Sequence, residues 1–164
     1  MNALNSETTV HIRPAITADI PEIMSLERQC ASAGHWTEEQ YRLAFTTKAA
    51  LKLLLVVEAA PSPKSGAEGA HLLGFLIAHH LAPEWELENL VVASPARRKG
   101  LGKRLLEALL EAARETSSSV FLEVRESNAA ARALYENADF EQTGRRPSYY
   151  TSPLEDAILY RWDY

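Results

Sequence analysis

Two glycines and a cluster of basic residues lie together where a predicted strand gives way to a predicted helix. The glycines are Gly100 and Gly102, and the basic residues around them are Arg97, Arg98, Lys99, Lys103 and Arg104. Glycine lets a ligand approach the backbone closely, and the first amides of a helix carry a positive partial charge that no intrahelical bond uses. The segment therefore predicts a cradle for an anion such as a phosphate. A tight turn with solvated basic side chains is the alternative.

The glycine spacing excludes two common kinds of phosphate-binding loop. A Walker loop places four residues between its first glycine and a Gly-Lys-Ser/Thr sequence, and a dinucleotide-binding loop has a third glycine. Neither pattern is present around Gly100 and Gly102. The pattern therefore indicates a phosphate-bearing ligand of another kind.

Side chains that could transfer protons lie further along the chain. Glu123 shares one face of a predicted strand with Arg125, so it is either a general base or an exposed residue that pairs with a cation. Tyr135 follows Leu134 in an apolar helix, so it is either a general acid or a core tyrosine. Asn128 lies seven residues before Tyr135, about two helical turns, so both side chains could line one ligand. The alternative for Asn128 is a helix cap.

Other ionisable residues favour structural roles. Glu86 and Glu88 lie on the strand that leads to residues 97–104, which we call the glycine loop. They are alternative bases, and the competing interpretation is that they are simply exposed strand glutamates. His79 and His80 are consecutive strand residues that point to opposite faces, which disfavours a shared metal ion, and no metal site is predicted. Cys30 continues the apolar spacing of a helix, which favours a buried thiol.

The elements that must position these residues follow from hydrophobic periodicity and from capping and turn residues. Strands are predicted at 10–14, 51–60, 71–81, 84–92 and 120–125, with two more from Phe140 onward. Helices are predicted from 17 to about 30, from Thr37 to about 45, from 101 to about 117, and from 127 or 128 to about 138. Residues 61–69 are predicted to form an exposed turn. The order indicates a mixed α/β (α+β) layer structure that contains an antiparallel meander.

Composition limits the class of protein. The chain has 164 residues, which fits one domain, so residues 1–164 are predicted to form a single domain. The formal net charge of −5 disfavours proteins that coat nucleic acid or anionic membranes. No basic residue precedes an apolar run in Met1 to Thr9, and no apolar stretch approaches the ~20 residues of a membrane span. With Cys30 as the single cysteine, the sequence predicts a cytoplasmic protein without nucleic-acid or membrane partners.

The arrangement Arg97-x-x-Gly100-x-Gly102, between a strand and an amphipathic helix, resembles the acetyl-CoA pyrophosphate loop of the GNAT acetyltransferase superfamily. Further runs occur in the family's order: Asn89-Leu90-Val91-Val92, Arg98-Lys99-Gly100-Leu101-Gly102, Leu122-Glu123-Val124-Arg125, Ser127-Asn128-Ala129-Ala130-Ala131, Ala133-Leu134-Tyr135-Glu136 and Tyr149-Tyr150. This order, which covers roughly residues 85–160, is similar to that of RimI-type ribosomal-protein alanine N-acetyltransferases.

The resemblance implies a GNAT-like fold, in which a mixed, mainly antiparallel central sheet of about seven strands is flanked by four helices. It implies acetyl-CoA as cosubstrate, with backbone groups of Leu90, Val91 and Val92 along the pantetheine arm and with Asn128 touching the cofactor. It implies that the pyrophosphate is held by Arg97, Arg98, Lys99, Gly100, Leu101, Gly102 and Lys103.

The same resemblance implies Glu123 as general base, Tyr135 as general acid, and Tyr149 and Tyr150 as residues beside the acceptor. The two tyrosines are predicted to lie, with Arg145 and Arg146, in the turn between the last two strands.

The chain departs from the family pattern in three segments. Gly34-His35-Trp36 replaces Phe-Pro-Trp, Ala93-Ser94 replaces Asp-Pro, and Arg146-Pro147-Ser148-Tyr149 is one residue longer. The first and third of these segments concern the acceptor side of the predicted site.

The predicted function is direct acetyl transfer from acetyl-CoA to a primary amine, with the N-terminal alanine of a ribosomal or other protein as the favoured acceptor. An α-amine has a pKa near 8, against about 10.4 for lysine, so it suits a glutamate base better. The alternatives are a GNAT enzyme for a small amine or a lysine side chain, and a non-catalytic acyl-CoA-binding module. The sequence leaves the oligomeric state open between a monomer and a weak dimer.

Overall fold

The computed structural model describes residues 9–30, 34–46, 51–60 and 71–164. Within these ranges the chain forms seven β-strands and four α-helices. The strands are β1 (Val10–Pro14), β2 (Leu51–Ala59), β3 (His71–Leu81), β4 (Glu84–Val92), β5 (Ser119–Arg125), β6 (Glu141–Thr151) and β7 (Leu154–Trp162). The helices are α1 (Ile20–Arg28), α2 (Glu38–Thr46), α3 (Leu101–Glu115) and α4 (Ala129–Glu136). The turn predicted at 61–69 lies outside the described residues.

The helix starts follow from local capping chemistry. At α2, the Thr37 amide donates to Gln40 Oε1 at 2.7 Å, and the Gln40 amide donates to Thr37 Oγ1 at 3.2 Å. This reciprocal pair confirms the capping box predicted from the sequence. Pro21 lies in the first turn of α1, where its missing amide removes no helical bond.

The sheet has the strand order β1-β2-β3-β4-β5-β7-β6 in the described chain. Neighbouring strands are antiparallel except β4 and β5, which are parallel. The mixed, mainly antiparallel sheet predicted above is therefore confirmed, and so is the meander, which is formed by β2, β3 and β4.

The parallel pair β4 and β5 separates toward its carboxyl ends. Pairing joins Glu84–Leu87 to Ser119–Leu122, although β4 continues to Val92 and β5 to Arg125. Beyond Leu87 the two strands therefore leave a wedge between them. Ligands bind at such openings in mixed sheets because backbone groups and strand-end side chains are exposed there together.

A bulge at Glu88 changes which side chains of β4 face each layer. The β3–β4 register passes from Ile77 opposite Asn89 to Ala78 opposite Leu87, so Glu88 is the extra residue. As a result Leu87 packs in the cluster with α3, whereas Val91 packs in the cluster with α1. The bulge therefore reverses which face of the sheet the side chains after Glu88 point to.

The apolar core lies on both faces of the sheet. On one face, Leu105 and Leu109 of α3 are fully buried against the strands, with Tyr135 of α4 in the same cluster. On the other face, Ile23 of α1 and Tyr41 of α2 are buried. Each such side chain contributes roughly 1.5–3 kcal/mol through burial, so the helices are held firmly around the wedge.

Two sequence predictions are wrong. Arg145, Arg146, Tyr149 and Tyr150 lie within β6 rather than in the turn before β7, because a bulge lengthens β6. The β6–β7 register jumps from Arg146 to Tyr150, and Ser148 in that bulge has a φ of 53°. Cys30 is half-buried rather than buried, because it lies beyond the end of α1 at Arg28, although it still packs against the apolar cluster that contains α1.

Among the described residues, no helix is long and apolar enough to cross a membrane.

Candidate active site

A cleft of about 430 Å³ opens in the wedge between β4 and β5. Its lining comes from both strands, from α4, from β6 and from the segment before α2. The lining residues are Gly34, His35, Glu86, Leu87, Glu88, Asn89, Leu90, Glu123, Val124, Arg125, Asn128, Ala131, Tyr135, Tyr149 and Tyr150. Six residues singled out from the sequence as site residues are therefore brought together here: Leu90, Glu123, Asn128, Tyr135, Tyr149 and Tyr150.

The glycine loop leads directly into α3. Gly100 has a φ of 77°, a left-handed conformation that favours glycine, and an added Cβ there would meet nothing within 4 Å. The Arg104 amide donates to Gly100 O at 3.0 Å, so the amides of Leu101, Gly102 and Lys103 precede the helical ladder and point out of the helix start. Outward amides at a helix start suit an anion, and the cradle stays a prediction.

Gly102 brings this loop close to α4 and β4. A Cβ at this position would lie 3.4 Å from Leu134 Cδ2 and 3.7 Å from Leu90 Cδ2. The missing side chain therefore allows the start of α3 to pack beside α4 and beside the exposed part of β4.

The basic residues of the loop have different surroundings. Arg98, Lys99 and Lys103 are exposed, and Lys103 Nζ lies 3.7 Å from Glu107 Oε1 on the same helix. The Arg97 guanidinium instead donates from Nε to Val92 O at 3.0 Å, so it fastens the loop to the end of β4. Leu101 is 4% exposed, which leaves only its backbone available to a ligand.

The end of β4 offers backbone groups toward the wedge. Val91 is buried on the α1 face, so its side chain does not reach the cleft, whereas Leu90 lines the cleft. Val92 is half-buried and its carbonyl accepts the Arg97 bond. Because β5 pairs with β4 only through Leu87, the following residues have a backbone edge that is free of that neighbouring strand.

Glu123 lies on the wall of the cleft formed by β5. Its carboxylate pairs with Arg146, with Nη1 2.9 Å from Oε1, and 14% of the Glu123 side chain is exposed. A hydrogen bond to the same carboxylate raises the pKa of Tyr149. The glutamate is thus partly desolvated and contacts two residues of the β6 bulge.

Tyr135 lies on α4 between the core and the cleft. It is 7% exposed, and its ring packs against Phe140 at 5.7 Å and Tyr160 at 6.2 Å between centroids. Burial raises the pKa of its hydroxyl, and Tyr150 raises that pKa further. The ring of Tyr135 belongs to the core. The residue also lines the cleft, so it is placed to contact a ligand there.

Asn128 caps α4. The Ala131 amide donates to Asn128 Oδ1 at 3.2 Å, and Asn128 also lines the cleft. The capping interpretation from the sequence is confirmed, and the Nδ2 group of the same side chain remains a donor for the cleft.

The adjacent tyrosines of β6 are held by aromatic and cation–π contacts. The Tyr149 and Tyr150 rings meet edge to face with centroids 5.1 Å apart. The Arg125 guanidinium lies 4.0 Å from the Tyr150 ring centroid, and that of Arg146 lies 5.5 Å from the Tyr149 centroid. These contacts fix an aromatic wall beside Glu123.

Negative charge accumulates on the opposite side of the wedge. Burial raises the pKa of Glu86, and the carboxylates of Glu88 and Glu123 raise it further, while His79 and Arg146 oppose the rise. Glu88 itself contacts His79 Nδ1. The cleft therefore suits a cationic or amine ligand.

The histidines behave as the strand pattern predicts. His79 contacts Glu88 and stacks on Trp36, whereas His80 Nε2 lies 2.9 Å from Ser118 Oγ. They therefore belong to different faces and different networks. In the part of the chain that the structure describes, no group of three potential ligands is arranged to hold a metal ion.

Sequence reasoning missed a buried polar network beside the cleft. Glu27 of α1 is 2% exposed and accepts hydrogen bonds from Tyr41 and Asn89. The helical spacing of Glu27, next to Leu26, was the available signal, because it places a carboxylate at the border of the apolar face of α1.

A family model supports the sequence resemblance. Residues 20–140 match the model of the acetyltransferase (GNAT) family. The matched range includes the loop, Glu123 and Tyr135, but it ends before β6 and β7.

Curated relatives give a finer comparison. The chain is 34% identical over 147 residues to a ribosomal protein bS18-alanine N-acetyltransferase of Salmonella typhimurium, covering 87% of this chain and 90% of the relative. It is 39% identical over 95 residues to the Escherichia coli K12 protein of that name, covering 56% of this chain and 64% of the relative. An uncharacterised Mycobacterium leprae protein is 42% identical over 83 residues. This match covers 50% of this chain but only 23% of the relative. The chain thus spans less than two thirds of the length of the latter two.

Solved structures agree with the fold. The crystal structure of the ribosomal-protein-S18-alanine N-acetyltransferase from Escherichia coli superposes with a TM-score of 0.74 at 29% identity, covering 93% of this chain and 92% of that one. Arabidopsis thaliana NAA60, solved with a bisubstrate analogue, superposes with a TM-score of 0.80 at 17% identity over 94% and 97% of the two chains, a similarity of fold.

Proposed function

The chain belongs to the acetyltransferase (GNAT) family, and we propose that it transfers the acetyl group of acetyl-CoA to the free α-amine of a protein N-terminus, preferably alanine. The observation that carries this proposal is that Glu123 and Tyr135 line one cleft, and that Leu90 of the same cleft lies beside Gly102 in the predicted anion cradle. The Salmonella typhimurium relative, similar along most of both chains, supports the choice of acceptor.

The residues present fit acetyl-CoA. The outward amides of Leu101, Gly102 and Lys103, with the exposed cations of Arg98 and Lys99, suit a pyrophosphate. The open edge of β4 from Leu90 to Val92 suits an extended amide-bearing arm, because strand edges pair with such groups. In this proposal Arg97 acts by fastening the loop to Val92 rather than by binding the phosphates itself.

Acetyl-CoA supplies the acetyl group as a thioester, whose carbonyl carbon is attacked by the acceptor amine while the sulfur leaves as CoA thiolate. The attacking amine must first lose its proton, because an ammonium group has no lone pair. Glu123 accepts that proton directly or through one water, and the cleft carboxylates of Glu86 and Glu88 attract the incoming cation.

The leaving thiolate must gain a proton, which Tyr135 donates. The raised pKa of the buried hydroxyl keeps Tyr135 protonated at neutral pH, so it is present as a donor. Desolvation disfavours the CoA thiolate as well as the tyrosinate, so it favours a proton transfer that accompanies cleavage of the C–S bond. As the C–S bond breaks, the nitrogen loses its second proton to the tyrosinate, so CoA leaves as a thiol, the product is an amide and Tyr135 is protonated again, while Glu123 releases its proton to solvent.

Tyr149 and Tyr150 form the acceptor wall. Their rings are fixed by each other and by Arg125, so they offer a preorganised surface to the backbone of an extended peptide. Arg146 and Tyr149 both contact Glu123, which leaves little space beside its carboxylate. An acceptor whose first residue has a small side chain fits this limited space.

Two other functions make different predictions. A GNAT enzyme for a small amine or a lysine side chain would transfer acetyl groups but would not require a free α-amine. A non-catalytic acyl-CoA-binding module would bind acetyl-CoA and show no turnover with any amine. The cluster of Glu86, Glu88 and Glu123 favours amine chemistry over simple binding.

The test is intact-mass detection of acetyl transfer from acetyl-CoA to two peptides. One peptide has a free N-terminal alanine and no lysine, and the other is blocked at its N-terminus and contains a lysine. We expect a mass gain on the first peptide alone. A gain on the second alone would reject N-terminal specificity, and no gain on either despite acetyl-CoA binding would shift the function to a small-amine enzyme or a binding module.

A further inference from the structure

Glu27 is a buried carboxylate at the centre of a hydrogen-bonded network behind the cleft. Its Oε1 accepts from the Tyr41 hydroxyl at 2.8 Å and from Asn89 Nδ2 at 2.9 Å, and its Oε2 accepts from the Trp36 amide at 3.2 Å. The residue as a whole is 2% exposed. One side chain of α1 thereby joins α2, β4 and the segment that precedes α2.

Packing alone does not account for a carboxylate at this position. Burial raises the pKa of Glu27, which means that the protein bears a cost for placing the charged form there, and the three donors offset part of that cost. An aliphatic residue would fill a similar volume without that cost. The carboxylate is therefore present for the groups that it holds in place.

Those groups form one wall of the cleft. Asn89 Nδ2 also donates to Gly34 O at 3.1 Å, so the same amide group joins Glu27 to the chain that precedes α2. Gly34, His35 and Asn89 all line the cleft. The Glu27 bond to the Trp36 amide fixes the other end of this short segment.

The wall is also coupled to the carboxylates of the cleft. The Trp36 ring stacks on His79 at 6.2 Å between centroids and 13° between planes. His79 in turn pairs with Glu88, the bulged residue that precedes Asn89 in β4. A displaced 34–36 segment would therefore move a cleft-lining surface and loosen the residue that orients Glu88.

We propose that Glu27 is a positioning residue for the acceptor: by holding Gly34–Trp36 and Asn89 as one rigid wall, it sets the affinity for the acceptor amine and its attached chain. This inference rests on the proposed function. The side-chain hydrogen bonds of Glu27 and Asn89 go to Trp36, Tyr41 and Gly34 and to each other rather than to residues 100–103, so we expect the affinity for acetyl-CoA to change little.

The decisive variant is Glu27→Gln, which keeps the shape but supplies a donor where the native side chain accepts. One of the three hydrogen bonds must then be lost. We expect the KM for the N-terminal alanine peptide to rise by about tenfold, which corresponds to one lost buried hydrogen bond. The KM for acetyl-CoA and kcat should stay within about twofold, because only acceptor binding is changed.

A second variant and a matched control keep the test independent of folding. Asn89→Ala breaks the link to Gly34 while leaving the Tyr41 and Trp36 bonds to Glu27, and it should raise the acceptor KM in the same way. Glu22→Gln changes another α1 glutamate, whose Oε1 accepts from the Leu72 amide, and it should leave both KM values unchanged. Hydrogen exchange should be faster at the Trp36 amide in Glu27→Gln and unchanged in Glu22→Gln.

The outcomes separate this inference from the proposed function. A wild-type protein that acetylates no peptide N-terminus overturns the proposed function and this inference with it. An active Glu27→Gln enzyme with an unchanged acceptor KM overturns the positioning role alone. Equal losses in both KM values and kcat would also overturn it, because they would indicate a general loosening of the fold.

Discussion

Arg146 reaches across β7 to pair with Glu123, and its guanidinium Nη1 lies 2.9 Å from the glutamate Oε1. The exposed fraction of the side chain is 53% for Arg146 but only 14% for Glu123. A half-exposed cation thus covers the carboxylate that, in the proposed reaction, receives the proton of a cationic acceptor. The two cations compete for one carboxylate.

Replacing Arg146 should therefore strengthen acceptor binding. We expect Arg146→Gln to lower the KM for the alanine peptide by about two- to fivefold, the range of a partly exposed ion pair, with a smaller change at high salt. Steady-state kinetics at low and high salt measure this. Arg145→Gln is the matched control, because Arg145 pairs with Glu126 and Asp156 instead. A higher KM in Arg146→Gln would mean that Arg146 holds the acceptor rather than competing with it.

Tyr135→Phe separates the hydroxyl from the ring. Phenylalanine keeps the contacts with Phe140 and Tyr160, so the unfolding temperature should change little, whereas loss of the proton donor should lower kcat by about 100-fold. Rapid-quench or steady-state assays and a thermal melt check both parts. An undiminished kcat would assign Tyr135 to the core alone.

Gly100 tests the anion cradle through its backbone. Alanine at φ 77° is strained even though the space beside it is open, so Gly100→Ala should lose about 1 kcal/mol of stability and shift the first amides of α3. We expect the Kd for acetyl-CoA, measured by calorimetry, to rise by about tenfold. This change corresponds to the loss of about one charge-assisted hydrogen bond. Gly144→Ala in β6 is the control, since a Cβ there makes ordinary contact with Leu159. Equal acetyl-CoA affinity in both variants would remove Gly100 from the cradle.

Asp19 gives a stability prediction that depends on pH. Its carboxylate accepts from Arg13 at 2.8 and 3.0 Å and from the Ile16 amide at 2.8 Å, and the Arg13 bonds hold the pKa of Asp19 below its ordinary value despite burial. A depressed pKa in the folded state stabilises the protein above the unfolded pKa, and this contribution is lost as the pH falls through the folded pKa.

Asp19→Asn should therefore reduce the free energy of unfolding at pH 7 by about 1–3 kcal/mol, and the difference from wild type should shrink below about pH 4. Urea denaturation over this pH range measures both. Asp163→Asn, at an exposed ion pair with Arg161, should change the free energy by less than about 0.5 kcal/mol. A difference for Asp19→Asn that is constant with pH would contradict the assignment.

The elements that the sequence predicts well are those with local signals. The capping box at Thr37, the strand from His71 to Leu81 and the glycine loop each depend on residues within one turn or on a period of two. The positions of Glu123 and Tyr135 in one cleft agree with the family resemblance, which supplies tertiary information that a local pattern lacks.

The rest depends on contacts between distant parts of the chain. The bulge at Glu88 and the longer bulge before Tyr150 change the register by an amount that alternation of residue types does not encode. The pairing of Glu27 with Asn89 joins residues far apart in sequence and relies on a buried carboxylate, which hydrophobic periodicity treats as an exception. These are the features that shape the acceptor side of the cleft.

The central claim is that Glu123 is the base of an acetyl transfer, and the most direct measurement is the turnover of Glu123→Gln together with its affinity for acetyl-CoA. The account predicts that kcat for the alanine peptide falls by at least about 100-fold while the Kd for acetyl-CoA stays within about twofold, because the base acts on the amine and not on the cofactor. Glu115→Gln, exposed at the far end of α3, should keep full activity. Wild-type turnover in Glu123→Gln would contradict the account.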